Sequence, residues 1–495
     1  MKKIRIWLLC LLGLLAGAAH AADFTQGVSV SGSVATVWFK SNVATSWVDV
    51  HYRLNGGTQQ NLRMTWQAAN ARYEQPVAAA SGAALSYFFT YNNGSPAYDS
   101  ASFAYTVGGT TTTPVTGGGS DPVVLPVGSG VMTIQLANAT GGAYADAQLY
   151  WAIIGYDPVT HRLSHVDKTG RLVAAAVADN GAANALARNG QTYANYFSAL
   201  SEASWVSIPK ISSARLFISV GAPMYIKINT AADGSTGFAG PDLGNASDPN
   251  QGVTFEWVEF TLDDSGYHGN TTRVDQFGFP LRTRLIGNDG SDRTLGETES
   301  RAALFAAFEA QAPSEFRALV QRPYRIVAPA KGAFKAGQAG GAYFDAYVDQ
   351  VWSHYAATPL VFSAEAGTFR GQVVGKDFVF TKDGLAGNLF IHGKPGTQAI
   401  FEGSGNLASG SAQELVLQAQ ITAAFNRHLL LAVDPSQWST PASYYPQAPA
   451  NYYAKFWHDH SIGGLAYGFC YDDVRGQSSL QEIASPKGLV VTVGW

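Results

Sequence analysis

From Asp23 to Val107 apolar and polar positions alternate with a period of two, in short runs. Examples are Ser33-Val-Ala-Thr-Val-Trp-Phe39, Ser46-Trp-Val-Asp-Val-His-Tyr-Arg53 and Ala84-Leu-Ser-Tyr-Phe-Phe-Thr-Tyr91. Such alternation marks half-buried strands, and the turn signals Asn55-Gly56-Gly57 and Asn92-Asn93-Gly94 follow two of the runs, so a small antiparallel β-sandwich is predicted over residues 22–107. From Gly108 to Pro122 the pattern gives way to Thr, Gly and Pro, which bury nothing, and residues 108–126 read as a linker. Period-two runs resume with Val131 to Leu136, Leu149 to Ile154 and Ala214 to Val220, and strands are predicted to about residue 290. Helical spacing appears only later. Glu297 to Ala310 carries Leu304, Phe305 and Phe308 on one side, and Pro313-Ser-Glu opens a short second helix. Tyr343 to Tyr355 and Ala412 to His428, the latter with Ser411 as N-cap, are two more. Val373 to Thr381 and Leu389 to His392 read as strands. Residues 127–495 thus divide into a β-rich part (about 127–290), a mixed α/β part (about 291–450) and a C-terminal return (451–495). A groove between the two halves is the expected ligand site.

Composition narrows the function. The 495 residues are 46% hydrophobic and 12% aromatic but only 14% charged, so the chain is long enough for two or three folded units and too apolar for a disordered one. Its net charge of −4 leaves no basic footprint for nucleic acid, whereas 11 Trp and 23 Tyr suit aromatic-lined sugar sites. At the start, Lys2, Lys3 and Arg5 precede the apolar run Ile6 to Leu15 and the small-residue site Ala19-His20-Ala21. This is the pattern of a secretory signal, residues 1–21, cut before Ala22. The run is too short for a spanning helix, so no membrane attachment is expected once the signal is removed. Cys10 leaves with it, Cys470 remains the single thiol, and intramolecular disulfides are excluded. The chain reads as a secreted monomer.

The most informative segment is Phe255-Glu-Trp-Val-Glu-Phe-Thr-Leu262, a turn-rich stretch, and Thr271-Thr-Arg-Val-Asp-Gln-Phe-Gly-Phe-Pro280. Alternation puts Val258, Phe260 and Leu262 on one face of the first strand, with Trp257, Glu259 and Thr261 on the other. Read as a second strand, the later stretch separates Val274 from Asp275, so Glu259 and Asp275 can project from one sheet. Paired carboxylates are what glycoside hydrolysis needs, one as proton donor and one as base or nucleophile. The same spacing also suits a merely solvated acidic face.

Glu259-Phe-Thr-Leu and Val274-Asp-Gln-Phe-Gly-Phe-Pro280, together with Arg215-Leu-Phe-Ile-Ser, Met224-Tyr-Ile-Lys-Ile228 and the terminal stretch from Asn451-Tyr-Tyr-Ala-Lys-Phe-Trp-His-Asp-His to Tyr471-Asp-Asp473, resemble glycoside hydrolase family 64 over roughly residues 130–495. These are β-1,3-glucanases that release laminaripentaose, and the barrel half is similar to thaumatin-like proteins. The resemblance implies a multidomain β-rich chain in which the N-terminal β-sandwich precedes a thaumatin-like β-barrel domain and a mixed α/β domain flanking a wide cleft. It implies endo-acting, inverting hydrolysis without a cofactor. Glu259 would be the general acid and Asp275 the general base. Thr261 and Thr272 match sugar-contacting positions, while Asp263 and His268 stand where the family pattern has Asn and Trp. Asp472 and Asp473 match an acidic cleft ending.

The first unit, through Trp47-Val-Asp-Val-His-Tyr-Arg-Leu-Asn-Gly-Gly57 and Pro96-Ala-Tyr-Asp-Ser100, resembles the family 56 carbohydrate-binding modules that bind β-1,3-glucan. Trp38, Trp47, Trp66, Tyr91 and Tyr98 are the candidates for stacking on glucose, two or three of them being expected to do so. His458-Asp-His460 invites a metal site, since His-x-His on a strand puts two imidazoles on one face, but no third ligand is evident. No metal is expected, and both histidines are assigned to hydrogen bonding in the cleft or to structure. The competing function is a non-catalytic thaumatin-like glucan-binding or antifungal protein; the presence of both carboxylates favours the enzyme.

Overall fold

A computed structural model describes residues 24–54, 60–80, 82–94, 97–100, 103–107 and 125–495. The signal segment, the turn Asn55-Gly56-Gly57 and nearly all of the linker lie outside the described residues. These residues fall into two compact units, parted before Leu125.

The first unit is two antiparallel sheets. One has the order Phe24–Ser31, Val34–Ser41, Arg72–Ala78, Thr65–Gln67. In the other, Gln60–Arg63, Val48–Leu54, Ala84–Asn92 and Ala97–Asp99 lie side by side, and Phe103–Thr106 also pairs with Ala84–Asn92. Val37 and Phe39 from one sheet meet Val48, Val50, Leu85, Tyr87 and Phe89 from the other. Each large side chain buried there contributes about 1.5–3 kcal/mol.

The second unit begins with two facing sheets. Five strands run in the order Trp205–Ile208, Met132–Ala139, Pro486–Gly494, Leu281–Gly287, Asp292–Gly296. The C-terminal strand is therefore central, parallel to Met132–Ala139 and antiparallel to Leu281–Gly287. The larger sheet runs Leu172–Ala174, Leu163–Val166, Leu149–Tyr156, Ile211–Val220, Thr254–Asp263, Gly266–Thr271, Gln481–Ile483. Among the described residues no strand ladder joins the two sheets into a closed cylinder; at one edge the Gln481 side chain of the larger sheet donates to the Thr283 and Arg293 carbonyls of the other. Ile134, Leu489 and Val491 of one sheet pack on Trp151, Leu216, Val258 and Phe260 of the other.

The outer face of the larger sheet meets the mixed α/β part. Ile154, Phe217 and Trp257 share a second core with Leu304 and Phe308 of helix Arg301–Gln311, with Val351 of Asp345–Ala357 and with Phe425 of Ala412–Asn426. These helices start where side chains satisfy their free N–H groups. Ser300 accepts from Ala303, and Ser411 with Glu414 forms a capping box. Along Thr254–Asp263 every residue to Val258 is buried, after which half-exposed Glu259, Thr261 and Asp263 alternate with buried Phe260 and Leu262. The helical part thus covers this face as far as Trp257 and leaves it open beyond. That change of cover creates the site.

Three sequence expectations are corrected. Val373 to Thr381 is a hairpin, Gly367–Val374 and Asp377–Lys382, turned by Gly375 at φ 63°. Trp457 to His460 ends a helix, Tyr452–His460, capped by the Asn451 side chain. The strand expected from Thr271 to Pro280 stops at Thr271, and Val274 and Asp275 lie in a bend.

Candidate active site

On the larger sheet Arg215, Glu259 and Asn270 stand in one row across three strands. Arg215 Nε donates to Glu259 Oε1 at 3.0 Å, and Trp257 Nε1 donates to the same oxygen at 3.3 Å. A bulge in the Ile211–Val220 strand leaves Ser213 at φ 48°, with its N–H given not to the ladder but to Thr261 Oγ1 at 3.0 Å. Thr261 therefore sits beside Glu259 with its hydroxyl hydrogen available to a ligand. His268 pairs in register with Thr261, and its ring lies between Ser265 Oγ (2.8 Å) and Glu482 Oε1 (2.7 Å). Asp263 accepts from the Ser265 N–H at 2.8 Å and from its hydroxyl. Partial burial works against ionisation, but these bonds and nearby His268 hold the Asp263 carboxyl below the usual range.

Asp275 approaches from the bend. Its carbonyl accepts from Ala328 N at 2.9 Å, and Lys331 Nζ lies 3.3 Å from Oδ1 and 3.6 Å from Glu402 Oε1. Burial would lower the Lys331 ammonium, but Asp275 and Glu402 outweigh it and raise it. Thr272 is buried, and its hydroxyl accepts from Val274 N at 3.2 Å, which ties it into the bend. Between them Arg273, fully buried, donates to Glu297 at 3.0 and 2.7 Å and to Glu256 at 2.9 Å. Its backbone N–H donates to the Tyr467 carbonyl, and its own carbonyl accepts from the Tyr453 hydroxyl. Burial pushes the Glu256 carboxyl up to about 7, against the pull of Arg273. The bend that carries Asp275 is thus tied down on both sides.

The four terminal candidates belong elsewhere. Asp472 is completely buried, 3.0 Å from His458 Nε2 and 2.9 Å from Arg427, and it accepts from Gly468 N at 2.8 Å. It is an internal counter-ion and touches no solvent. His458 also lies 2.8 Å from the Gly464 carbonyl. Burial would lower this imidazole, but Asp472 outweighs it and raises it. His460 turns away, to Glu299 and Gln311. Residues two apart on a helix point about 200° from each other, which removes the single-face geometry of the metal reading. Among the described residues no group of three His, Cys, Asp or Glu could hold a metal ion. Asp473 is half-buried, Oδ1 accepts no hydrogen bond, and burial raises its carboxyl.

In the first unit Tyr91 is 6% exposed, inside the core against Phe24 and Phe39, and cannot stack on sugar. Trp38 lies over Gly27, where a Cβ would come within 2.6 Å of the indole, and under the Arg72 guanidinium at 4.6 Å. Trp66 is 51% exposed, edge-on to Tyr73. Trp47 carries Arg63 over its ring at 4.6 Å, and Arg63 pairs with Asp49. On the same outward sheet face His51 stacks on Phe88 and reaches Asn61 and Thr90 at 2.6 and 2.8 Å. Tyr98 lies in strand Ala97–Asp99, and its side chain is outside the described residues.

Sequence reasoning missed Asn270, Glu482, Lys331 and Glu402, and gave Arg215 no role. Arg215 alone had a signal: a charge amid the apolar run Ala214 to Val220 needs a partner.

The family model described as β-1,3-glucanase (glycoside hydrolase family 64) matches residues 130–493, and carbohydrate binding module family 56 matches residues 26–100. A glucan endo-1,3-β-glucosidase of Cellulosimicrobium cellulans is 30% identical over 298 residues, 58% of this chain and 53% of that protein. The chain thus spans about half the length of the curated relatives it matches. The crystal structure of a family 64 β-1,3-glucanase domain from Clostridium beijerinckii is 48% identical, with TM-score 0.72, over 75% of this chain and all of that one. A laminaripentaose-producing β-1,3-glucanase from Paenibacillus barengoltzii, also solved with laminarihexaose, is 44% identical, with TM-score 0.60, over 96% of this chain and all of that one.

Proposed function

Because the chain belongs to the β-1,3-glucanases of glycoside hydrolase family 64, we propose that it is a secreted, endo-acting hydrolase of β-1,3-glucan that inverts at the anomeric carbon. Residues 22–107 are its glucan-binding module, 108–126 its linker and 127–495 its catalytic region. The observation that supports this best is that Glu259 stands where the sheet face becomes uncovered and Asp275 in the bend beyond the end of the neighbouring strand, each beside a cation: Glu259 with Arg215, and Asp275 with Lys331.

Both donors to Glu259 take Oε1, which leaves Oε2 to carry a proton. Glu259 gives that proton to the glycosidic oxygen as the C1–O bond breaks. Lys331 engages Oδ1 of Asp275, so Oδ2 is offered to a water, whose proton it takes as the water oxygen bonds to C1. One water is consumed, and the two carboxyls reset by exchange with solvent. Thr261 and His268 contact sugar along the same face, and Glu482 joins them through His268. Short laminari-oligosaccharides leave, laminaripentaose among them as with the Paenibacillus relative. In the module the platform is the outward face holding Trp47, Asp49, His51 and Arg63.

Incubating the purified protein with soluble laminarin and measuring reducing ends tests the reading, with Glu259→Gln and Asp275→Asn as controls. Release that both variants abolish is expected. No release from the intact protein would leave a glucan binder without hydrolytic activity.

A further inference from the structure

We propose that Lys331 is a positioning residue of the reaction: its ammonium, shared between Asp275 and Glu402, keeps Asp275 an ionised and oriented base. The inference rests on the assignment of Asp275 as base. The three side chains come from separate pieces of chain. Asp275 lies in the bend, Lys331 closes the single turn Pro329–Lys331, and Glu402 ends the helix Thr397–Glu402. Their side chains are 23%, 20% and 25% exposed, enough cover for the charges to act on each other with little screening.

The lysine is fixed to the base through the backbone as well. Gln276 and Phe277, just after Asp275, pair with Val327 and Ile326, and Ala328 N–H donates to the Asp275 carbonyl. One short ladder therefore carries both the base and its counter-ion, and movement of either drags the other.

A base that must take a proton from water has to remain ionised before the attack, and a cation at 3.3 Å favours that form. Glu402 works in the opposite sense, since it claims part of the same ammonium at 3.6 Å. The other charged or titratable groups bearing on Asp275 are Tyr453, Asp242 acting through Lys331, and Arg273 two residues back, whose charge is spent on Glu256 and Glu297.

The test is a set of pH–rate profiles on laminarin for the full chain and for Lys331→Met, Lys331→Arg, Glu402→Gln and Asp275→Asn. Lys331→Met should lower kcat about tenfold or more with KM little changed, and move the acidic limb toward neutrality by about one pH unit. Lys331→Arg should recover most of both. Glu402→Gln should move the limb the other way, toward acid, which no loss of structure would mimic. An acidic limb that stays at the wild-type position in Lys331→Met, or that moves in the same direction in Glu402→Gln, overturns the proposal. Should Lys331→Met not fold, by circular dichroism, the opposed behaviour of Lys331→Arg and Glu402→Gln decides. Wild-type turnover in Asp275→Asn is a different result, and overturns the assignment of the base itself.

Discussion

Arg215 and Glu259 face each other in register on neighbouring strands, and the guanidinium donates to Oε1 of the carboxylate at 3.0 Å. Both side chains are about a third exposed, 34% and 38%. A pair so placed adds only about 0–1 kcal/mol to stability, so its worth lies in aiming Glu259. Glu259→Gln should cost about a hundredfold or more in turnover, and Arg215→Ala about tenfold, each with an unchanged circular dichroism spectrum and melting temperature. Arg215→Lys should fall between wild type and Arg215→Ala, because an ammonium has no planar fork. Steady-state kinetics with thermal melts check all three.

Arg273 makes a contrasting prediction, because its pairs with Glu256 and Glu297 are sealed from water. Arg273→Met strands two buried carboxylates and should cost about 3–5 kcal/mol in denaturant unfolding, with activity falling as the Asp275 bend loosens. Glu256→Gln keeps the shape and removes the charge, but it also turns one of two accepting oxygens, which take Arg273 Nη1 and the Gly278 N–H, into a donor. Folding raises this carboxyl from an ordinary 4.5 to about 7, so the native state holds the proton more tightly than the unfolded chain does. That contribution is present below the ordinary carboxylate range and is lost as pH rises through 7. Melting temperature should therefore fall between about pH 5 and 8 in the wild type and fall less in Glu256→Gln.

Glu259 was legible in the sequence because its strand separates two environments. Val258, Phe260 and Leu262 meet an apolar core, and the residues between them must then share the other face. The Asp275 side of the site was only half legible. The residue stood out in its motif, but Lys331 and Glu402 arrive from distant, short helices in which no periodicity announces a partner. The strand geometry assumed for His458-Asp-His460 fails for another reason. The Asn451 cap and the burial of Tyr453, Phe456 and Trp457 along one side make Tyr452–His460 a helix. The position of Tyr91 was readable in retrospect, since Leu85, Tyr87, Phe89 and Tyr91 share one parity and all are buried.

That parity separates binding from folding in the first unit. Trp47→Ala and His51→Ala remove groups from an outward sheet face and should weaken retention of the full chain on insoluble β-1,3-glucan about tenfold, while sparing hydrolysis of soluble laminarin. Tyr91→Ala opens a cavity among Phe24, Phe39 and Phe89 and should cost the unit about 3–5 kcal/mol, its binding lost only through unfolding. Depletion assays on curdlan, paired with melts, distinguish the two. Equal retention by Trp47→Ala and wild type would move the platform to another face, with Trp66 next in line.

The stereochemistry of the product follows from where the second carboxylate stands. Glu259 has Arg215 opposite it on one side and Asn270 on the other, so no acid faces it across the ladder. Asp275 lies past the strand end at Thr271, in the bend. Directly opposed side chains on strands about 4.8 Å apart would approach the 5–5.5 Å spacing of a retaining pair. Displacement beyond the end of the ladder favours the roughly 6.5–9.5 Å that lets a water stand between acid and base. With water attacking from the Asp275 side, cleavage of a β bond must first yield the α anomer. Proton NMR during the opening minutes of laminarin hydrolysis should show the α signal rising ahead of the β signal, with the equilibrium ratio reached only by later mutarotation. Early excess of the β anomer would mean a covalent intermediate on Asp275 and a closer approach of the two carboxylates once sugar is bound.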